Sequence, residues 1–217
     1  MARPKPLSEP RGNKSFARRA GQTKPRSITL IVCEGETEQA YLDAARIRYG
    51  LTAAEVIVAP NTIGPAPISV VQCAERKCNE RGSYDKVFCV FDRDSHESFQ
   101  RARDLINALA RRRRTPLPIS EAISIPCFEL WVLLHYERTD APFDNCDNVI
   151  TRLRVSKPGY VKADAVVAKQ LVIDMDTAIA NAEWVEQRAA NNNHNPYTSV
   201  HHVMRHFAQV AEEKAIK

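Results

Sequence analysis

Acidic residues stand where two apolar runs stop. Ile28-Thr29-Leu30-Ile31-Val32-Cys33 ends at Glu34-Gly35, and Val87-Phe88-Cys89-Val90-Phe91 ends at Asp92-Arg93-Asp94. Short apolar runs, β-branched in part and closed by glycine or charge, predict buried strands. In an open parallel sheet, ligands sit at the carboxyl ends of the strands. If these two strands are neighbours, Glu34 and Asp92 converge, and Asp94, two residues on, points to a similar side. Hard oxygen donors grouped in this way suit Mg²⁺ or Mn²⁺. Crowded carboxylates repel and each tends to take up a proton, a cost that a divalent cation removes. The plainer alternative has Asp92 capping the following helix and Glu34 merely exposed.

The elements that must position these acids can be read from periodicity. Further strands are expected at 55–59 and, more weakly, at 119–124. Helices are expected at 36–49, 67–81 and about 97–112, with Pro67 near the start of the second and Gly82 after its end. Strands alternating with helices at this spacing predict an α/β fold with an open, mostly parallel four-stranded sheet flanked by helices. After Pro126 the pattern changes. Phe128, Leu130, Trp131, Val132, Leu133, Leu134 and Tyr136 crowd one segment, which reads as a helix buried on most sides. Helical periods follow at about 145–154, 162–173, 175–190 and 198–213. The expected division is a basic arm (1–26), an α/β core (27–125) and a helical C-terminal part (126–217) packed on that core.

Charge and composition narrow the class. Of the net +5, residues 1–26 supply +7, from eight Lys or Arg against Glu9, which leaves the rest of the chain at about −2. A Pro-, Gly- and Arg-rich arm of this kind is expected to be disordered. It either contacts phosphates or serves as a solubilising leader. No apolar run approaches the roughly 18 residues that span a bilayer, and no apolar stretch follows the N-terminal basic residues as in a secretory signal. A cytoplasmic protein is expected. No G-x-x-x-x-G-K-[ST] occurs, which excludes a P-loop NTPase. The six cysteines, at 33, 73, 78, 89, 127 and 146, form no C-x-x-C pair and have no histidine at zinc spacing. All six are read as reduced thiols without a zinc site.

Other residues carry two readings each. Glu129, among Phe128, Leu130 and Trp131, needs a partner if buried. It is either a further active-site acid or an N-terminal helix acid favoured by the macrodipole. Arg93 either braces the two aspartates or meets phosphate. His96 either donates to a phosphate or faces solvent. Arg111, Arg112, Arg113 and Arg114 either bind nucleic acid or form a solvated helix end. Ser124 caps its turn or touches substrate. His135 is a packing or capping residue, and His201-His202 belong to a helix surface with Thr198 as N-cap.

Four stretches together resemble the RloB family, which is related to AbiL components of abortive infection. They are Ile31-Val32-Cys33-Glu34-Gly35-Glu36-Thr37-Glu38, Val90-Phe91-Asp92-Arg93-Asp94-Ser95-His96, Ser124-Ile125-Pro126-Cys127-Phe128-Glu129-Leu130-Trp131 with Leu133-Leu134-His135-Tyr136, and Asn195-Pro196-Tyr197-Thr198-Ser199-Val200. The match runs from 27 to about 205 and leaves out the arm and Arg111 to Arg114. It implies a Toprim-like core, with Glu34 as general acid or base, Asp92 and Asp94 holding Mg²⁺ or Mn²⁺, and Glu38, one helical turn from Glu34, as a further ligand. Lys162 matches a family position without an assigned role. The implied activity is cleavage of DNA or RNA phosphodiesters in anti-phage defence, alongside a partner ATPase. The alternative is a non-catalytic binding or sensor module that docks on that ATPase, favoured by the large helical part with apolar faces.

Overall fold

The computed structural model of the chain describes residues 27–60, 66–82, 84–93, 97–191 and 194–216; the basic arm lies outside them, as do Asp94 and His96. Its strands are β1 (Thr29–Cys33), β2 (Ala54–Val58), β3 (Lys86–Asp92), β4 (Ile119–Ile125) and β5 (Tyr197–Thr198), in the order β2-β1-β3-β4-β5. The first four run parallel, and β5 pairs antiparallel with β4. The expected mostly parallel sheet is present with a fifth strand added. Two residues are too few to show a strand period, so 198–213 reads as helix throughout. Instead Thr198 lies in β5, its hydroxyl 3.1 Å from that of Ser124, and the helix after it begins at Val200. Ser124 is thus a buried tie between two strands.

Alternate side chains of each parallel strand go to opposite faces, and both faces are covered, which is why these strands read as unbroken apolar runs. Leu30, Val32, Val87, Cys89, Phe91 and Ile123 pack with α2 (Pro67–Arg81) and α3 (Phe99–Ala110). Ile31, Cys33, Phe88, Val90 and Ala122 face the other way. They meet α1 (Glu36–Arg48), α4 (Glu129–Leu133), α5 (Cys146–Ser156), α6 (Ala165–Leu171), α7 (Met175–Arg188) and α8 (Val200–Ala215). From β1 the chain goes through α1 to β2 on one side, then through α2 back to β3 on the other side of β1. Strand order therefore reverses between β1 and β3, and a crevice opens there at their carboxyl ends.

Local signals fix the helix ends that matter for the site. Pro67 starts α2 and Gly82, at φ 83°, closes it in the left-handed conformation that glycine adopts freely. The Asp164 carboxylate accepts from the amides of Val166 and Val167. This cap starts α6 three residues later than its period suggests and leaves Lys162 on the loop before it. The apolar segment after Pro126 forms only the short α4. Its Trp131 is fully buried, edge-on to Tyr41 at 5.8 Å and to His135 at 5.3 Å. His135 is a packed residue, bridging the Tyr41 hydroxyl and the Trp131 carbonyl at 3.0 Å each, and burial lowers its pKa to about 4. Trp131→Ala is expected to cost about 3–5 kcal/mol in urea unfolding. A cost below about 1 kcal/mol would mean that α4 is not anchored through this ring. No helix among the described residues is long and apolar enough to cross a membrane.

Candidate active site

β1 and β3 are direct neighbours, with Cys33 opposite Val90. The pairing continues one step further, since the Glu34 amide donates to the Val90 carbonyl at 3.0 Å. The Asp92 amide in turn donates to the Glu34 carboxylate at 3.2 Å. The two acids that the sequence singles out therefore meet at the switch point. Asp92, the last residue of β3, accepts from the Phe128 amide at 3.0 Å, so the entry to α4 is held against the sheet by a carboxylate. Two further acids join them. Glu38, in the first turn of α1, and Glu129, the first residue of α4, are both buried.

The electrostatics show that burial and mutual repulsion raise the pKa of two of these acids. Burial, followed by the Glu129 and Glu34 carboxylates, pushes the Glu38 carboxyl up to about 7, against the pull of its own amide and of Lys162. Asp92 is raised well above the usual carboxylate range by desolvation first, then by Glu38, Glu129 and Glu34, with the Phe128 amide opposing. Glu129 has a direct partner, because Lys162 reaches in from the loop before α6 to 2.9 Å. That contact answers what holds a buried carboxylate in an apolar segment, and it brings Lys162 into the site. The buried Tyr160 hydroxyl has no hydrogen-bond partner among the described residues, and its pKa is raised by burial and then by Glu129 and Glu38.

Gly35 is required here for space and not for its backbone angle, which is extended at φ −136°. A Cβ at this position would stand 2.9 Å from the Glu38 carboxylate. That carboxylate ends a flexible side chain, so Gly35→Ala should fold with a change of less than about 1 kcal/mol, while displacing Glu38 from the cluster. If the site is catalytic, a displacement of this kind lowers the single-turnover rate by about 10²-fold. An unchanged melting temperature together with an unchanged rate would remove Glu38 from the chemistry.

Other candidates fall elsewhere. Arg93 is exposed, and its amide donates to the Ser124 carbonyl at 2.9 Å. Strand alternation turns its side chain to the face opposite Asp92. Arg111, Arg112, Arg113 and Arg114 are exposed and follow α3, beside the start of β4, where Ile119 pairs with Val87. They lie at the amino end of the sheet, about 20 Å of strand from Asp92, and Arg112 pairs with Glu75. His201 is buried rather than on a helix surface. It and the exposed His202 both reach Glu186, at 3.2 and 3.1 Å, a partner on α7 that helical periodicity in α8 does not reveal.

The cysteines also differ from expectation. Cys33, Cys73, Cys78 and Cys89 are free and buried, but Cys127 and Cys146 form a disulfide with Cα atoms 5.6 Å apart. They stand 19 positions apart, and only the folding of α5 against α4 brings them together. The disulfide borders the acids, with Cys146 Sγ 3.1 Å from a Glu129 oxygen and 3.8 Å from Lys162 Nζ. Two groups among the described residues bring three donor atoms within 4.8 Å of one another: Cys127, Glu129 and Cys146, and Glu186, His201 and His202. Sulfurs bonded to each other offer no thiolate to an ion.

The acids at the switch point form no such group of three among the described residues, but their donor type, the carboxylate, is the one that Mg²⁺ or Mn²⁺ takes. Of these carboxylates Glu129 is paired with Lys162, and Mg²⁺ commonly takes one or two carboxylates with water and substrate phosphate, without a closed protein cage. A doubly covered, mostly parallel sheet with an acidic cluster over its switch point defines an α/β protein with a polar site at its strand ends. The family model for RloB-like proteins matches residues 29–207, and the chain belongs to that family. No curated protein and no solved structure matched it significantly.

Proposed function

We propose that this RloB-like protein is a metal-dependent nuclease of an anti-phage, abortive-infection system, with a Toprim-like core, acting in the cytoplasm with a partner ATPase. The observation that carries this reading is the meeting of Glu34, Glu38, Asp92 and Glu129 at the switch point, where burial and then the neighbouring carboxylates raise the pKa of Glu38 and Asp92. Asp92 and Glu38, with Asp94 from the sequence motif, would hold Mg²⁺ or Mn²⁺. The ion, when bound, neutralises the cluster and polarises a phosphodiester oxygen.

The chain's own groups account for the rest. Water attacks phosphorus as the ester bond to the leaving sugar oxygen breaks. Glu34 takes the proton from the water and returns it to the leaving oxygen. The Phe128 amide keeps the Asp92 carboxylate aimed at the crevice. Lys162 fixes Glu129 and adds positive charge beside the place a phosphate would occupy.

The test is incubation of purified protein with Mg²⁺ or Mn²⁺ and single-stranded DNA, duplex DNA, RNA and tRNA, alone and with the cognate ATPase. Cleavage in at least one combination, lost on chelation, is expected. No cleavage in any combination, or full activity in Asp92→Ala, overturns the reading. A second reading, a module that docks on the ATPase, draws on the exposed Val155, Val161, Val166 and Ile173 around α5 and α6. Capture of the ATPase by a cleavage-dead Asp92→Ala protein that still confers defence would favour it.

A further inference from the structure

A cavity of roughly 580 Å³ lies on the other face of the sheet from the acids, at the carboxyl ends of β3 and β4. Arg93, Phe99, Arg103, Glu121, His194 and Tyr197 line it. Its position follows from strand alternation. Val90 packs on the α1 face and Phe91 on the α3 face, so Asp92 turns to the acids and Arg93 to the cavity. Consecutive Cα atoms lie about 3.8 Å apart. The cavity and the acid cluster therefore flank the same end of β3, one on each face of the sheet.

The lining combines aromatic rings, a guanidinium–carboxylate pair and a second carboxylate, Glu97. Phe99 and Tyr197 supply aromatic surface. Phe99 is held edge-on by Phe91 at 5.8 Å, and the Arg103 guanidinium lies 5.8 Å from its centroid. The Tyr197 ring is fixed at both ends, its hydroxyl donating to Glu186 at 3.0 Å and the His194 ring lying edge-on at 5.8 Å. His194 adopts a left-handed backbone, φ 56°, to reach that position. Arg103 and Glu121 form a two-pronged pair, with Nε and one terminal nitrogen donating at 2.9 Å. Among the described residues no other hydrogen bond to these two side chains is formed, which leaves guanidinium donors and carboxylate lone pairs side by side. A donor and an acceptor side by side match the edge of a base, and unstacked bases bind by stacking on aromatic rings and guanidinium planes.

We infer that this cavity receives one unstacked base of a single-stranded nucleic acid whose neighbouring phosphate lies at the acid cluster, with Arg93 on the phosphate that crosses the end of β3. The strand passes over the ends of β3 and β4, phosphate on one side and base on the other. Base stacking on Phe99 and Tyr197 supplies affinity, and the Arg103–Glu121 pair selects among bases. The inference deepens the nuclease reading, on which it rests for the location of the phosphate.

The test measures fluorescence anisotropy of labelled single-stranded oligonucleotides of each base, as RNA and as DNA, on cleavage-dead Asp92→Asn protein with Mg²⁺. The four bases should differ by about 10-fold or more, and replacing bases with abasic sugars should weaken binding by about 10-fold, the scale of one stacked base. Phe99→Ala should weaken every strand, and Glu121→Gln should reorder the preference. Glu121 and Arg103 are partly exposed, so Glu121→Gln keeps the test sound if Phe99→Ala fails to fold. Free mononucleotides form a third arm, and tighter binding of these than of strands overturns the strand assignment. Equal binding of all bases and of abasic strands, or no binding of any strand, overturns the inference. Cleavage by wild type without base preference defeats the base site and leaves the nuclease reading standing. A preference that tracks Glu121 in a protein that cuts nothing does the reverse.

Discussion

Asp92→Asn is expected to reduce phosphodiester cleavage by on the order of 10³-fold while making the metal-free protein more stable. The two effects have one cause. Asp92 is half-buried among Glu34, Glu38 and Glu129, and burial together with those charges raises its pKa well above the usual range. A group that resists ionisation when folded reduces stability at neutral pH. The amide removes the charge and keeps an oxygen to accept the 3.0 Å bond from the Phe128 amide. Its nitrogen can donate to the neighbouring carboxylates. A gain of about 1 kcal/mol would raise Tm by about 2–4 °C in a chain of this size. The loss of rate follows from removing an anionic ligand that stabilises transition-state charge by several kcal/mol. Cleavage rate with Mg²⁺ added and thermal melting in chelator, measured on portions of one preparation, decide the matter. A variant that loses both activity and stability would make Asp92 a structural residue and leave the acid cluster without a function.

What the sequence disclosed of this site divides along a physical line. Glu34 and Asp92 were legible because each ends an apolar run, and a parallel sheet puts such ends on one edge. Their adjacency needed only β1 beside β3, the strand order found. Glu38 was within reach because it stands four residues, about one helical turn, after Glu34. Glu129 could be marked as a buried acid in need of a partner, yet Lys162 could not be assigned to it. That ion pair depends on where the loop before α6 falls once Asp164 caps the helix. The Cys127–Cys146 link, the burial of His201 against Glu186 and the two-residue β5 were likewise hidden. Each arises from packing between segments far apart in sequence and leaves no local period. The cluster Arg111 to Arg114 illustrates the converse. Its composition suits nucleic acid, but α3 carries the chain back to the amino end of the sheet, away from the acids.

The pH dependence of stability should isolate Glu38 and reveal the ion. Its carboxyl is pushed up to about 7 when folded, from an ordinary 4.5. The folded state therefore holds this proton more tightly than the unfolded chain does. The resulting stability is fully present below about pH 4.5 and is lost as pH rises through about 7, a change on the order of 3 kcal/mol. His135 acts in the opposite sense. Burial lowers its pKa from 6.5 to about 4, so it withdraws stability as pH falls through that interval. The raw curve mixes these with Asp92, whose pKa is also raised, but the difference between wild type and Glu38→Gln cancels the histidine and reports Glu38 together with its effect on Asp92. That difference should favour the variant increasingly from pH 5 to pH 8 in chelator. An ion that binds only the folded chain stabilises it by mass action, and ionised ligands bind it best. Excess Mg²⁺ or Mn²⁺ should therefore raise the wild-type Tm by several degrees at pH 8, very little at pH 5, and less in Glu38→Gln at either pH. A metal-induced shift of equal size at pH 5 and pH 8, or the same in the variant as in wild type, would place the ion away from this carboxylate. No shift at either pH would mean that the four acids share protons and no cation.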